Sequence, residues 1–139
     1  MITVASKPFQ RRSRQKPEKG DFVIVNWQIS GNPHAWRPPT DVYERDDSFV
    51  VRVEIAGMNE NEFSIHLDQN VLSIRGTRSD HNERRTYQQM EINFGEFLTM
   101  VELQAPVESD HIRAEYQNGF LWVFLPKAQL RVIKVKGNE

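Results

Sequence analysis

Four histidines and a complete lack of cysteine limit the chemistry that this chain of 139 residues can perform. His66 and Asp68 are two residues apart in an alternating stretch, so both would lie on one face of a strand and could begin a metal site. A solvated polar face is the simpler interpretation, because the other three histidines are scattered along the chain. The lack of cysteine excludes thiol catalysis, cysteine-ligated metal and disulfides. We therefore predict no metal site.

Sequence motifs for nucleotide binding or hydrolysis are also missing. The seven glycines are never closer together than Gly20 and Gly31, which are eleven residues apart, so no glycine-rich loop can cradle a phosphate. No serine lies in a G-x-S-x-G pattern, and no H-E-x-x-H is present. We therefore predict that the protein is not an enzyme and uses no cofactor.

The stretch 112–125 predicts a β-hairpin around which the rest of the fold would be built. Asn118 and Gly119 separate two apolar runs, and these residue types best tolerate the positive φ angles of a type I′ turn. The first arm alternates between apolar and polar residues. The second arm, 120–125, is apolar on both faces, so it must be covered by its own core on one side and by another segment or chain on the other.

Seven or eight short runs of period two, without a helical period, predict an all-β fold. The most economical architecture is an antiparallel, immunoglobulin-like β-sandwich. The predicted strands cover 41–45, 48–55, 62–68, 71–76, 87–94, 97–103, 112–116 and 120–125.

The chain divides into an N-terminal arm (1–40), a sandwich domain (41–127) and a C-terminal tail (128–139). Between residues 7 and 19 the arm carries six basic residues against one acid and shows no structural period, which predicts partial disorder. Residues 22–29 are apolar enough for either a strand or a short buried segment. In the tail, Ile133 and Val135 would point the same way in an extended peptide, like two anchors for a groove. A frayed last strand is the alternative.

Several motifs in consecutive order resemble the small heat-shock (α-crystallin, Hsp20) proteins. Residues 114–121 resemble the A-x-x-x-N-G-x-L signature, and 36–44 resemble the W-x-P-x-x-D-V-Y-E opening. Ile133-Lys134-Val135 falls where this family carries an I-x-I/V tail motif. Further matches lie at 53–58, 72–78 and 91–97, so the resemblance extends over roughly 100 residues. Ala56, Thr99 and Pro106 depart from the family pattern; Thr99 stands where an arginine is common near the dimer interface.

The resemblance implies an α-crystallin domain and an ATP-independent chaperone that holds non-native proteins under stress. It also implies dimers that build larger oligomers, formed by exchange of a strand from within 84–94. The residues of that exchange would be Tyr87, Met90, Ile92 and Phe94. The tail anchors of one chain, Ile133 and Val135, would dock on a neighbour in a groove walled by Phe63, Ile65, Leu67, Ile112, Ala114 and Tyr116.

Contacts with non-native client proteins are predicted for the aromatic residues of the N-terminal arm. A holdase needs apolar surface that weak, reversible contacts hide and release. The alternative is that some of these residues cover the outer face of the second hairpin arm. The candidates are Phe9, Phe22, Trp27 and Trp36.

Other functions remain open at this level. The basic arm could contact nucleic acid or a lipid surface, but a net charge of -1 provides no global support for either. The same sandwich could also be an interaction module, similar to a co-chaperone, that binds one folded partner. The longest apolar run has six residues, far too few to cross a membrane. With no cysteine and no secretory signal, we expect a cytoplasmic protein without nucleic-acid or membrane partners.

Overall fold

The structure, a computed structural model, describes residues 2–6 and 34–129 together with Val135 and Gly137. Within these residues the regular elements are eight strands and two short 3₁₀ helices, which confirms the all-β prediction. The strands are β1 (Val4–Ser6), β2 (Thr40–Glu44), β3 (Ser48–Glu54), β4 (Ser64–Asp68), β5 (Val71–Arg78), β6 (Gly95–Glu102), β7 (Arg113–Gln117) and β8 (Phe120–Pro126), and the 3₁₀ helices are Glu60–Glu62 and Ser109–His111.

The strands form two sheets that enclose one core. The first sheet has the order β1-β4-β5-β6 and the second has the order β2-β3-β8-β7. Neighbouring strands are antiparallel, except that β1 runs parallel to β4. The ring of Phe63, which precedes β4, packs against that of Tyr116 of β7 in a tilted arrangement with ring centroids 5.0 Å apart. Thr40 of β2 is hydrogen-bonded to Thr99 of β6 at 2.8 Å. Thus β4 lies over β7 at one side of the sandwich, and β6 lies over β2 at the other.

The predicted hairpin is confirmed as the pair β7 and β8. Asn118 and Gly119 have φ angles of 53° and 81°, both positive as the type I′ turn requires. The strands pair up to the turn itself, with Gln117 opposite Phe120. The backbone N–H of Ile55 donates to the Gly119 carbonyl at 2.8 Å. The turn is therefore tied to the end of β3.

The core lies between the inward faces of the two sheets. Val51 and Val53 of β3 stand opposite Val123 and Leu121 of β8, and all four are fully buried. Burial of one such side chain is worth about 1.5–3 kcal/mol before ordering costs. The buried cluster is completed by Phe49, Ile55, Met58, Phe63, Ile65, Leu67, Leu72, Ile74, Phe97, Val101, Leu103 and Leu125.

The outer face of β8 is covered by arginine side chains from the adjacent strands. The Arg52 guanidinium carbon lies 5.4 Å from the centre of the Trp122 ring, and that of Arg113 lies 4.1 Å from the centre of Phe124. Arginine suits this position because its stem is apolar and its cationic head is attracted to the ring face. Phe120 remains exposed. Additional cover from residues 7–33 stays a prediction, because those residues lie outside the described part of the chain.

One strand prediction was wrong. Residues 87–94 form no strand, and β6 begins only at Gly95, which has a φ of 91°. A strand needs a partner for its backbone groups, and this segment has none among the described residues. One strand was not predicted: Val4–Ser6 forms β1 on the edge of β4. Three residues are too few for an alternating pattern to be detected from sequence.

Candidate interaction surfaces

The structure brings together the two predicted walls of the tail groove. We call the space between β4 and β7 the docking groove. On the β4 side, Phe63, Ile65 and Leu67 are buried with their side chains towards the core. The opposite wall is half-buried and packs against the same core cluster; it consists of Ile112, Ala114 and Tyr116. These six residues, which are distant in sequence, therefore pack in one core cluster at this side of the sandwich, and their role as a groove for the tail stays a prediction.

Tyr116 also fixes one end of the docking groove by hydrogen bonding. Its hydroxyl donates to the Ile55 carbonyl at 2.7 Å and accepts from the backbone N–H of Met58 at 3.3 Å. These bonds tie β7 to the turn that follows β3. The ring contact with Phe63 then joins β7 to β4 across the groove. These contacts hold β7 in place relative to β3 and β4 at this end of the docking groove.

The predicted tail anchors are only partly described by the structure. The side chain of Val135 is 88% exposed, so in the single chain it is available for contact with a neighbour. Ile133 lies outside the described residues. Docking of the tail therefore remains a prediction.

The predicted exchange residues carry the most exposed apolar side chains of the sandwich domain. Met90 is 67% exposed and Ile92 is 65% exposed, and the two are spaced to face the same way in an extended strand. Tyr87 and Phe94 are also exposed, although less so. Arg78 donates to the Asn93 carbonyl through Nε at 2.9 Å, which holds the end of this segment next to the first sheet.

A charged cluster orders the chain before these residues. Arg85 Nη1 donates to Asp80 Oδ2 at 3.0 Å, and the Tyr87 hydroxyl donates to the same carboxylate at 3.3 Å. Desolvation tends to raise the pKa of Asp80, but the backbone N–H of His81 and the Arg85 guanidinium outweigh it and lower that pKa. Since the pKa is depressed by folding, the contribution to stability is fully present above the ordinary Asp value and is lost as the pH falls through the folded pKa. The cluster therefore keeps its charges throughout the neutral range.

The second sheet has an unpaired edge at β2. Among the residues that the structure describes, β2 pairs only with β3. Val42 stands opposite the fully buried Val51, yet 47% of its surface is exposed. An unpaired edge beside an exposed aliphatic side chain is suited to accept another strand.

Arg37, near this edge, was missed by sequence reasoning. Thr99, which stands where the resembling family commonly has an arginine, is buried and accepts a hydrogen bond from Arg37 Nε at 3.3 Å. A guanidinium thus reaches this position from residue 37 instead of residue 99. Nothing in the sequence around Arg37 indicates such a contact, because it depends on β2 and β6 being opposed in the sandwich.

Trp36 is half-buried and packs within its own chain. Its backbone forms a parallel bridge with Phe97 of β6, its indole N–H donates to the Gly95 carbonyl at 3.3 Å, and its ring lies 5.7 Å from that of Phe97. These contacts give it a structural role in the described fold. Phe9, Phe22 and Trp27 lie outside the described residues, so their contact with clients stays a prediction.

The polar residues considered for metal binding lie apart from these surfaces. His66 and Asp68 are exposed on the outer side of β4, and His66 Nε2 lies 3.1 Å from the Ser64 hydroxyl. Within 2–6 and 34–129, no group of three or more potential metal ligands is placed to hold an ion. In the same part of the chain, no helix is long and apolar enough to cross a membrane.

The fold and these surfaces define a class of protein: a β-sandwich whose exposed features are strand edges and apolar segments suited to association. Comparison with known proteins gives the family. Residues 41–137 match the model of the Hsp20/alpha crystallin family. The chain belongs to this family of small heat-shock chaperones.

Individual relatives agree with this assignment. Small heat shock protein C2 of Rickettsia felis is 32% identical over 105 residues, which are 72% of this chain and 68% of that protein. Heat shock protein 16 of Schizosaccharomyces pombe is 30% identical over 114 residues, which are 78% of this chain and 80% of that protein. The crystal structure of a small heat-shock protein from Xylella fastidiosa superposes with a TM-score of 0.61 at 29% identity, covering 74% of this chain and 98% of the other.

Proposed function

We propose that this protein is an ATP-independent holdase, which binds non-native proteins and prevents their aggregation under stress. Membership of a family of small heat-shock chaperones supports the general role. The observation that carries the specific proposal is that Met90, Ile92 and Val42 are exposed in the separated chain, so apolar surface is uncovered whenever the assembly loosens. Contacts made by such groups are apolar and easily broken, as capture and release of unfolded chains requires.

The building block in this proposal is a dimer formed by strand exchange. The segment 87–94 of one chain adds to the free edge of β2 in its partner, which covers Val42 and the exposed pair Met90 and Ile92. The exchange is reciprocal: each chain places its segment 87–94 on β2 of the other, and the two contacts belong to one interface with two-fold symmetry. It also provides a backbone partner for 87–94, which pairs with no strand among the described residues.

Larger assemblies would form when Ile133 and Val135 dock in the docking groove of a neighbouring dimer. Burial of one aliphatic side chain contributes about 1.5–3 kcal/mol before ordering costs, so two anchors give a contact that opens readily. The solved structure from Xylella fastidiosa is described as having a distinct high order structure, which supports assembly in the family. A cytoplasmic location remains a prediction.

Light scattering of a heat-labile protein, warmed with the full-length chain in the absence of ATP, tests the holdase proposal. We expect scattering to be suppressed and the client to elute with the chain in one large complex. Addition of ATP should change neither result. Scattering that rises as in a sample without the chain would contradict the proposal and favour an interaction module with one folded partner.

A further inference from the structure

The β4 edge of the docking groove is already occupied in the structure by residues near the start of the same chain. β1 pairs with β4 in parallel register, with Val4 level with Ile65 and Ser6 level with Leu67. Ile2 and Val4 are half-buried and pack against the core cluster, whereas Thr3 and Ala5 are exposed. The N-terminal segment therefore places two alternate aliphatic side chains inwards and the residues between them outwards.

The position of β1 coincides with the side of the sandwich at which the groove opens. β4 lies over β7 there, as the contact between Phe63 and Tyr116 shows. Since β1 is the outermost strand beside β4, it covers the only edge through which a peptide could pair with β4. An edge strand has a single row of free backbone groups, so two peptides cannot pair with it at the same time.

The occupant has the same residue pattern as the tail. Ile2-Thr3-Val4 and Ile133-Lys134-Val135 each contain isoleucine and valine separated by one polar residue. In an added strand, alternate side chains enter the pockets and backbone bonds supply the rest of the contact. Either segment therefore presents the same two side chains to the same wall.

We propose that residues Ile2–Ser6 are an intramolecular competitor that closes the docking groove against the C-terminal tail of other chains. Release of β1 opens the edge of β4 and permits assembly, and its return favours smaller species. This proposal rests on the proposed docking of Ile133 and Val135. In this mechanism, the size of the assembly depends on whether β1 or the C-terminal tail of another chain occupies the docking groove.

A designed disulfide tests both the position of β1 and its effect. Ala5 and His66 are level with each other in the strand pair and both are exposed. The chain has no cysteine, so Ala5→Cys/His66→Cys introduces the only thiols. After oxidation of the full-length protein we expect a cross-link within one chain, visible as monomer on a non-reducing gel. A cross-linked dimer, or no cross-link, would overturn the intramolecular position of β1.

The same variant then tests competition. Oxidised protein should form smaller assemblies than reduced protein when their masses are compared by light scattering, and reduction should restore the larger ones. As a control, Ala5→Cys/Glu115→Cys carries its second thiol on β7, so oxidation should change its mass little. An oxidised Ala5→Cys/His66→Cys protein with the same mass as the reduced form would overturn competition.

A pair of substitutions gives an independent measurement and separates the two proposals. Ile2→Ser/Val4→Ser should release β1, so a labelled peptide of residues 128–139 should bind several-fold more tightly than to the unmodified chain. Thr3→Ser/Ala5→Ser changes the outward neighbours and should leave the affinity unchanged. Equal affinity for Ile2→Ser/Val4→Ser and the unmodified chain would overturn competition by β1. If the peptide binds to none of the variants while the intrachain cross-link forms, tail docking fails and the competitor role fails with it, but β1 is still placed on β4.

Discussion

At the scale of single residues, Tyr116 shows how one side chain serves both the fold and the binding surface. Its ring forms a wall of the docking groove beside Phe63, and its hydroxyl bonds the backbone of Ile55 and Met58. A tyrosine can do both because an apolar ring and a polar tip are joined in one rigid group. Sequence alternation predicted the inward ring but gave no information on the hydroxyl.

Tyr116→Phe should therefore lower the free energy of unfolding by about 1–2 kcal/mol, since it leaves the part-buried Ile55 carbonyl without that donor. Urea denaturation provides the measurement. Tyr43→Phe is the matched control: within the described part of the chain the Tyr43 hydroxyl forms no hydrogen bond, and its loss should cost less than about 0.5 kcal/mol. Equal losses from the two variants would mean that the Tyr116 bonds contribute nothing specific.

At the scale of elements, the exposed edges of the two sheets matter more than their interiors. β3, β4, β5 and β8 are paired on both sides, whereas β2 has a free edge and 87–94 has no pairing at all within the described fold. Natural sandwiches usually protect such edges, because unpaired backbone groups template association. Apart from Phe120 on β8, the exposed large apolar side chains of the sandwich domain lie in β2 and 87–94, which favours specific association over non-specific aggregation.

Met90→Ser/Ile92→Ser should weaken the dimer more than about tenfold while leaving the fold intact. Both side chains are largely exposed in the single chain, so their loss creates no cavity, yet burial in a dimer would be worth about 1.5–3 kcal/mol each. Sedimentation equilibrium gives the dissociation constant. Gln89→Ser/Glu91→Ser alters the intervening residues of the same segment and should leave the constant nearly unchanged. A similar increase of the dissociation constant in both variants would argue against a contact that buries only one face of an extended strand.

At the scale of the whole molecule, the proposed mechanism makes assembly depend on two ends of the chain that compete for one sheet edge. The N-terminal strand is seated on β4, and the tail motif is proposed to reach the same site in a neighbour. In this mechanism one short peptide replaces another at the edge of β4. Regulation by exchange of short peptides therefore needs no rearrangement of the core, whose close packing resists gradual deformation.

Ile133→Ser/Val135→Ser should reduce large assemblies towards dimers, because the two anchors supply the apolar contact of the tail. Multi-angle light scattering measures the mass. Lys134→Ser/Lys136→Ser changes the residues on the opposite face of an extended tail and should preserve the large species. Large assemblies that persist in Ile133→Ser/Val135→Ser would rule out tail docking as the basis of assembly.

The sequence alone was enough to predict the hairpin turn and the inward faces of several strands. The type I′ turn at Asn118 and Gly119 depends only on the φ preferences of two residues, and it occurs as predicted. Alternation likewise identified the inward-facing residues of β3, β4 and β7. These features follow from the two-residue period of a strand, which is independent of its partner.

What occupies each edge was decided only by the tertiary structure. Strand pairing joins distant segments, so no local pattern indicated that residues 87–94 would lack a strand or that Val4–Ser6 would form one. Trp36 likewise lies against Phe97, a contact that exists because β6 opposes β2. Backbone groups form a strand only where another segment completes their hydrogen bonds, and the choice among competing segments depends on the packing of the whole molecule.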